Sequence, residues 1–234
     1  MSVQYFEKER VFKLDTPNSS YLIGIIDEEN FIGHIYYGKK INSHELTYLL
    51  RTEEPPFVPS KNNRDRLSFL DSCPMEYPTH GLGDFREDAI SVRTTDGHTA
   101  LQLSYEKHEI CPGKQKLAGL PATFGGEGEC TTLKLHCVDR ILKLRVILSY
   151  TAFEDVDVIA RSVEVVNEGT KEIYLTKVMS ACLDMDNRDF DLITLHGSWA
   201  RERHINRRRV ALGMQGVSSV RGESSHQEHP FMAL

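Results

Sequence analysis

The stretch LAGLPATFGGEGECTTLKLHCVDRILKLRVILSYTAFEDVDVIARSVEVVNEG, residues 117–169, decides the fold. Apolar side chains recur at every second position over 133–138 and again over 142–150, after a turn at Asp139-Arg140. A period of two with β-branched and aromatic residues predicts strands, and a short polar turn between two such runs predicts an antiparallel hairpin. A third run, 157–166, ends at Asn167-Glu168-Gly169, where Asn and Gly suit a turn with positive φ. The centre of the chain is therefore predicted to be an antiparallel β-meander.

Similar strand-like runs continue on both sides of this stretch. They cover residues 20–26, 31–37, 88–94, 99–105, 172–183, 190–195 and 207–220, and the last three are each bounded by Asp, Asn, Gly or Ser. The second pair of these runs is predicted to turn back at Asp96-Gly97, as a hairpin does. Helical periodicity extends over two turns at most, at 44–51. Many short strands without a βαβ rhythm predict an all-β sandwich.

Residues 38–78 have a different composition. They carry Pro55-Pro56, Pro59 and Pro74, and proline removes the N–H that a sheet ladder needs. A long loop inside a domain is usually functional or disordered. At the other end, 228–234 is predicted to be an apolar strand without its partner, so the isolated chain is expected to aggregate or oligomerise.

Bulk composition excludes several classes of protein. The 234 residues carry a net charge of −6, which argues against a nucleic-acid binder. No apolar run is long enough for a signal peptide or a membrane span. The five cysteines are scattered and odd in number, which favours reduced, partly buried thiols and a cytoplasmic location.

Other residues that could carry chemistry have plainer interpretations. The arginine-rich run 201–209 is interpreted as a solvated or interface strand whose arginines pair with carboxylates, and the glycines of 125–128 as a hairpin loop. The histidines His204, His226 and His229 match no common zinc spacing, so no metal is predicted. Paired acids such as Asp184 and Asp186 are interpreted as turn residues. Trp199, the only tryptophan, could lie in the core, stack on a sugar or anchor an interface.

Several segments together resemble a known family. GLPATF (119–124), YTAFEDVDVIARS (150–162), LDMDNRDFDLITLHGSWARER (183–203) and RGESSHQEHPFMAL (221–234) are similar to the N-terminal region of bacterial-type alpha-galactosidases, family 36 of the glycoside hydrolases. EYPTHGLGDFRE (76–87) and YEKHEICPGKQKLAGLP (105–121) fit the same family in the same order. The resemblance covers essentially the whole chain.

The resemblance implies a large antiparallel β-supersandwich of the galactose-mutarotase-like kind over residues 1–234, incomplete at its C-terminal end. In the family it precedes a (β/α)₈ barrel, whose two aspartates hydrolyse terminal α-linked galactose from raffinose-type oligosaccharides with retention. The family's Lys-Trp-Asp nucleophile motif does not occur in this sequence. The chain is therefore expected to be an N-terminal fragment, inactive alone, with no catalytic residue, cofactor or metal of its own.

Four residues are expected to bind substrate on the strength of this resemblance. In the family, a loop of this domain covers the sugar pocket, often that of a neighbouring subunit in a tetramer. Its acid matches Glu54, shortly before Phe57, although the family commonly has Asp; a carboxylate can accept hydrogen bonds from two vicinal hydroxyls. Trp199 and Arg201 match a Gly-x-Trp-x-Arg-Glu-Arg segment and are assigned to a subunit contact or the pocket edge. A solvated loop acid remains the alternative for Glu54.

Two functions are carried forward from the sequence. The first is the N-terminal portion of an alpha-galactosidase, with a galacto-oligosaccharide substrate, the catalytic barrel and a homotetramer as partners, and neither nucleic acid nor membrane. The alternative is a stand-alone β-sandwich that binds carbohydrate without hydrolase activity.

Overall fold

Among the residues that the structure describes, the regular structure consists of β-strands and one 3₁₀ turn, Thr47–Leu49. The computed structural model describes residues 2–50, 70, 73–81, 86–119, 122–186, 188–222, 224 and 226–234. The strands are β1 Val3–Phe6, β2 Val11–Asp15, β3 Ser19–Ile26, β4 Phe31–Lys39, β5 Ile90–Thr94, β6 Ser104–Pro112, β7 Cys130–Asp139, β8 Leu144–Phe153, β9 Ile159–Asn167, β10 Ile173–Val178, β11 Asp191–Ser198, β12 Arg201–Arg209 and β13 Glu228–Ala233. Among the described residues, no helix is long and apolar enough to span a membrane. The described strands pair antiparallel, so the predicted all-β antiparallel class is confirmed.

The chain divides into two units, Met1–Asp184 and Met185–Leu234. Two four-stranded sheets dominate the first unit, with the strand orders β1-β2-β3-β4 and β6-β7-β8-β9. In the second of these sheets Leu135 lies opposite Leu148, and Leu148 lies opposite Val163. The three runs of the stretch 117–169 therefore form the meander that their alternation predicts.

The core of the first unit contains side chains from both four-stranded sheets. Alternation explains which residues enter it, because successive side chains on a strand point to opposite faces. Its buried members include Val3, Phe12, Leu14, Tyr21, Ile23, Leu133, Leu135, Cys137, Leu144, Val146, Leu148 and Tyr150. The other face of the β1–β4 sheet is covered by Ile41, Leu46 and Leu50, which pack on buried Val11, Leu22 and Ile35.

The second unit holds a three-stranded sheet with the order β12-β11-β13. The predicted strand at 228–234 is present as β13, but the prediction that it lacks a partner is wrong, because it pairs with β11 and places Met232 opposite Thr194. Every residue of β12 is exposed. Phe231 and Met232 on β13 are also about half exposed.

The pairing predicted for 99–105 is wrong. The turn itself is present, because the N–H of Thr94 donates to the carbonyl of His98 at 2.9 Å and Gly97 has φ +85°. Residues 99–103 form no strand after it. β5 pairs instead with β10, where Val92 lies opposite Leu175. Because β10 lies about eighty residues after β5 in the sequence, the residues of the local turn cannot indicate this pairing.

The strand predicted at 207–220 is also wrong in its bounds. The structure has β12 at Arg201–Arg209 and no regular element over 210–220. The hairpin that starts β12 turns at Trp199 and Ala200, and neither residue is a usual turn former.

All five cysteines are free, and Cys73, Cys130 and Cys137 are buried, which agrees with the predicted reduced thiols.

Candidate functional site

A charged side chain lies at the centre of the first unit. Glu76 is fully buried, in the segment 73–81 that runs along β4. Its N–H donates to the carbonyl of Ile32 at 3.0 Å, and the N–H of His34 donates to the carbonyl of Pro74 at 2.8 Å. These two bonds flank the isolated bridge between Gly33 and Met75. The backbone of 73–81 is thus fixed on the edge of the β1–β4 sheet.

Four side chains from four strands surround the Glu76 carboxylate. The Tyr21 hydroxyl donates to Oε1 at 2.7 Å and lies 2.9 Å from Oε2, and the Tyr150 hydroxyl donates to Oε1 at 2.7 Å. The Arg161 Nη2 lies 2.8 Å from Oε1. His34 Nδ1 lies 3.1 Å from Oε2 and, since a carboxylate oxygen accepts, carries the proton in this contact. We call these five residues the Glu76 cluster.

The guanidinium of Arg161 completes the hydrogen bonding of the cluster. It donates to the carbonyl of Cys182 at 2.7 Å and to the Tyr150 hydroxyl at 3.1 Å. Its Cζ also lies 4.6 Å from the centre of the Tyr150 ring, close enough for a cation–π interaction. Burial by itself would lower the pKa of Arg161, but Tyr150 and Glu76 beside it raise that pKa above its ordinary value.

The tyrosines of the cluster are held in their neutral form. Burial, followed by the negative charge of Glu76, raises the pKa of Tyr21 and of Tyr150 well above 10.0. Both hydroxyls therefore remain donors over the physiological range. With every oxygen of Glu76 engaged and the side chain inaccessible, the cluster has no position for a substrate. Its role is to join the segment 73–81 to β3, β8 and β9.

An exposed aromatic side chain marks a second site, in the second unit. Trp199 is 80% exposed at the tip of the β11–β12 hairpin, where Ser198 pairs with Arg201. The residue after it, Ala200, has φ +61°, a left-handed conformation that is costly for alanine. Its N–H donates to Glu202 Oε1 at 2.9 Å, and hydrogen bonds from the backbone of Glu202 itself and then of Ala200 lower the pKa of the Glu202 carboxyl. The tip is thus a defined turn that presents tryptophan to solvent.

The backbone below this tip is tightly packed. A Cβ on Gly197 would lie 2.8 Å from Glu202 Cα and 2.9 Å from the carbonyl oxygen of His226, and closer still to the Arg201 carbonyl oxygen. Only glycine fits such an approach. The neighbouring register shift between β11 and β12 accompanies a second left-handed residue, Arg203, with φ +61°. Strained backbone of this kind occurs often at binding and active sites.

The basic strand β12 pairs in part with acids. Arg207 Nη2 lies 2.6 Å from Asp191 Oδ2, and Arg209 Nη2 lies 2.5 Å from Asp189 Oδ1. These pairs agree with the interpretation of the run as a solvated strand with carboxylate partners. The guanidinium of Arg201 makes no hydrogen bond or ion pair among the residues that the structure describes.

The structure places two of the four predicted substrate-binding residues. Trp199 and Arg201 flank Ala200 at the hairpin tip and are both exposed. Glu54 and Phe57 lie outside the described residues. The Glu76 cluster was not predicted from the sequence. The feature that could have indicated it is Arg161, a charged residue on the otherwise apolar face of β9, two residues from Val163.

Comparison with known proteins assigns this chain to a family. The model of the glycosyl hydrolase family 36 N-terminal domain matches residues 30–234. The chain belongs to glycosyl hydrolase family 36. The resemblance read from the sequence segments is thereby confirmed.

Relatives of this family 36 chain are considerably longer. Alpha-galactosidase AgaA of Geobacillus stearothermophilus is 37% identical over 235 residues, covering all of this chain and 32% of AgaA. The crystal structure of alpha-galactosidase AgaB from the same organism superposes with a TM-score of 0.90 at 37% identity, covering 99% of this chain and 32% of AgaB. A variant of AgaA in complex with raffinose gives a TM-score of 0.88 at 36% identity, over 95% of this chain and 31% of AgaA. The chain thus spans about one third of the length of these relatives.

Proposed function

We propose that this chain is the N-terminal portion of an alpha-galactosidase that removes terminal α-D-galactosyl residues from raffinose-type oligosaccharides with retention. In this proposal the catalytic aspartates belong to a barrel outside these 234 residues, and the enzyme is a cytoplasmic homotetramer. The observation that carries the proposal is the match of the whole chain to one third of AgaA. The solved complex of an AgaA variant with raffinose supports the substrate class.

The described structure supports a positioning role for the first unit. Glu54 and Phe57 belong to residues 51–69, and the residues on either side of that range are held on the sandwich. Before it, Leu46 and Leu50 pack on the face of the β1–β4 sheet that points away from the main core. After it, the Glu76 cluster fixes the segment 73–81. A binding loop anchored at both ends on a rigid scaffold is a common arrangement in enzymes.

The exposed hairpin tip supports a contact role for the second unit. An 80% exposed tryptophan is unusual on a surface that contacts only water. Tryptophan and arginine are the side chains most enriched at the centres of protein interfaces. We therefore assign Trp199 and Arg201 to a subunit contact or to the edge of the sugar pocket.

The proposal is tested first by activity. The purified 234-residue chain should not hydrolyse a chromogenic α-galactoside, and turnover would overturn the assignment of the catalytic groups to another domain. In the full-length enzyme, Glu54→Gln should raise KM for raffinose about tenfold or more, because a charged hydrogen-bond acceptor for sugar hydroxyls is lost. Glu53→Gln is the matched control. Equal effects of the two substitutions would make Glu54 an ordinary loop acid.

A stand-alone carbohydrate-binding β-sandwich is the second candidate, and the exposure of Trp199 is the observation that favours it. Since Trp199 is the only tryptophan, its fluorescence reports on one site. Stacking of a sugar on the indole should change the emission when raffinose is added to the isolated chain. Saturable binding together with an absence of hydrolysis by the full-length gene product would favour this candidate over the first.

A further inference from the structure

We propose that Glu9, His44 and Glu45 form a zinc site on the first unit. Each offers one ligand atom, and these atoms all lie within 4.8 Å of one another. Glu9 lies in the turn between β1 and β2, and the other two lie between β4 and the 3₁₀ turn. A bound ion would therefore join two segments that are thirty-five positions apart in the sequence.

The local structure orients the histidine. The His44 ring stacks on Phe6 with centroids 3.6 Å apart and planes 3° from parallel. This stacking leaves Nε2 on the side of Glu9, 3.9 Å from Oε2. Two atoms bound to one tetrahedral zinc ion lie about 3.4 Å apart, given bonds of about 2.0–2.2 Å. The Glu9–His44 separation is wider than that by about 0.5 Å, so binding requires side-chain rotations that draw Glu9 and Glu45 toward the ion.

The charge balance of the three residues calls for a cation. Besides His44, the basic neighbour of Glu9 in the described structure is Lys8, whose Nζ lies 3.9 Å from Oε1 and whose side chain is 91% exposed. Such an exposed pair is weak. The carboxylate of Glu45 has no hydrogen bond or ion pair within the described residues. Two carboxylates this close repel each other, and a divalent ion between them would remove that repulsion.

The donor set selects the kind of metal. One imidazole with two carboxylates suits Zn²⁺, with water in the fourth position. Ca²⁺ takes six to eight oxygen ligands, and Mg²⁺ requires a near-octahedral shell rich in water. The site should therefore prefer zinc over both of these ions. His204, His226 and His229, whose spacing matches no common zinc pattern, are not part of this site.

Zinc at this position would act on the segment before the 3₁₀ turn. That segment is already attached to the sheet through the N–H of Ile41, which donates to Ser20 Oγ at 3.1 Å, and through the packing of Leu46. The ion would add a third attachment, close to where residues 51–57 begin. This effect on the sugar-contacting loop rests on the proposed function, whereas zinc binding itself does not.

The test is metal binding by the 234-residue chain. The chain is stripped with a chelator and titrated with Zn²⁺ in competition with a chromophoric chelator, with Ca²⁺ and Mg²⁺ titrated in parallel. One equivalent of Zn²⁺ should bind. His44→Gln and Glu9→Gln should each weaken the affinity about tenfold or more, because the loss of an outer-shell partner alone already costs about tenfold. Co²⁺ in the same site should give the visible ligand-field bands of a four-coordinate ion.

Matched variants decide the outcome. His98→Gln removes an exposed histidine elsewhere and should leave the affinity unchanged. Glu45→Gln changes an exposed side chain, so it provides a further variant if His44→Gln or Glu9→Gln folds poorly. Equal zinc affinity in the unaltered chain and in both His44→Gln and Glu45→Gln would overturn the proposal. Loss of binding on substitution of His204 or His229 would likewise overturn it. Neither result depends on enzyme activity, so failure here leaves the proposed function standing.

Discussion

The guanidinium of Arg161 forms a 2.8 Å ion pair with the fully buried carboxylate of Glu76, although the two residues are far apart in the chain. Removing two charges from water is costly, and their attraction offsets that cost only when further hydrogen bonds complete the site. Here Tyr21, Tyr150 and His34 supply those bonds. The pair therefore makes the position of the segment 73–81 specific, and removing one member should be far more damaging than its contact area suggests.

Glu76→Gln should destabilise the first unit by about 3–5 kcal/mol, because it leaves the Arg161 charge buried without a partner. The free energy of unfolding in urea measures this loss. Asp96→Asn is the control, since its 4.0 Å pair with Lys171 is exposed on both sides and should change stability by about 0.5 kcal/mol or less. Similar losses in the two variants would contradict the account of the Glu76 cluster.

Tyr150→Phe should cost about 1.5–3 kcal/mol, the range for a hydrogen bond to a charged group. The ring is fully buried, so the substitution keeps the packing and removes only the hydroxyl that donates to Glu76. The same urea experiment on Tyr36→Phe provides the comparison, because the Tyr36 hydroxyl bonds to the Lys39 carbonyl in an exposed position. A neutral effect of Tyr150→Phe would mean that water or another donor replaces the hydroxyl.

Gly197→Ala should disrupt the β11–β12 hairpin. The new Cβ would meet backbone atoms of Glu202 and His226 at 2.8 and 2.9 Å, and backbone cannot move aside as a side chain does. Faster proteolysis within the second unit and altered Trp199 fluorescence are the expected readouts. Gly216→Ala, where the added Cβ would meet nothing within 4 Å, should leave both unchanged. Unchanged proteolysis in Gly197→Ala would show that the close approach can relax.

Stability of the first unit should fall as the pH drops below about 6.5. Burial lowers the pKa of His108 from its ordinary 6.5, so between the two values the unfolded chain binds the proton and the folded chain does not. His108 Nδ1 also lies 2.7 Å from the Tyr105 hydroxyl, and in the protonated ring this nitrogen can only donate. Above pH 6.5 both states are neutral and the contribution of His108 is fully present.

Thermal melting between about pH 7.5 and pH 5.5 measures this loss. His108→Phe keeps a ring against Tyr5 and Phe12. The melting temperature of this variant should fall less steeply with decreasing pH than that of the unaltered chain. Some slope should remain, because burial also lowers the pKa of His136, which faces Glu109, Lys107 and Arg145. His98→Gln, at an exposed position, should keep the full slope. If the slope of melting temperature against pH is the same in His108→Phe as in the unaltered chain, His108 is not the cause of the loss of stability in acid.

The meander was predictable because the local sequence pattern of each of its strands is sufficient to identify that strand. Leu144, Val146, Leu148 and Tyr150 recur with a period of two, and all four are buried. The antiparallel neighbours along 117–169 are joined by short turns, so local signals suffice to pair them. The same holds for β3 and β4 around Asn30, whose φ is +59°.

The rest depends on information that local patterns do not contain. The partner of β5 is β10, reached only after a whole sheet has intervened. The hairpin tip at Trp199 uses an alanine with φ +61°, a choice that turn propensities disfavour. For the Glu76 cluster, Arg161 on an apolar face signals that an acid is near, but nothing in the sequence indicates which of the 34 acidic residues it is.

The spacing of the Glu76 cluster along the chain has a consequence for synthesis. A ribosome delivers Tyr21, His34 and Glu76 first, then Tyr150, and only afterwards Arg161. A nascent chain that ends before β9 would enclose a carboxylate without its counterion, so its sandwich cannot yet close in the native arrangement. Emergence of β9 therefore completes the ion pair, and a nascent chain paused just before it would still lack the counterion of Glu76.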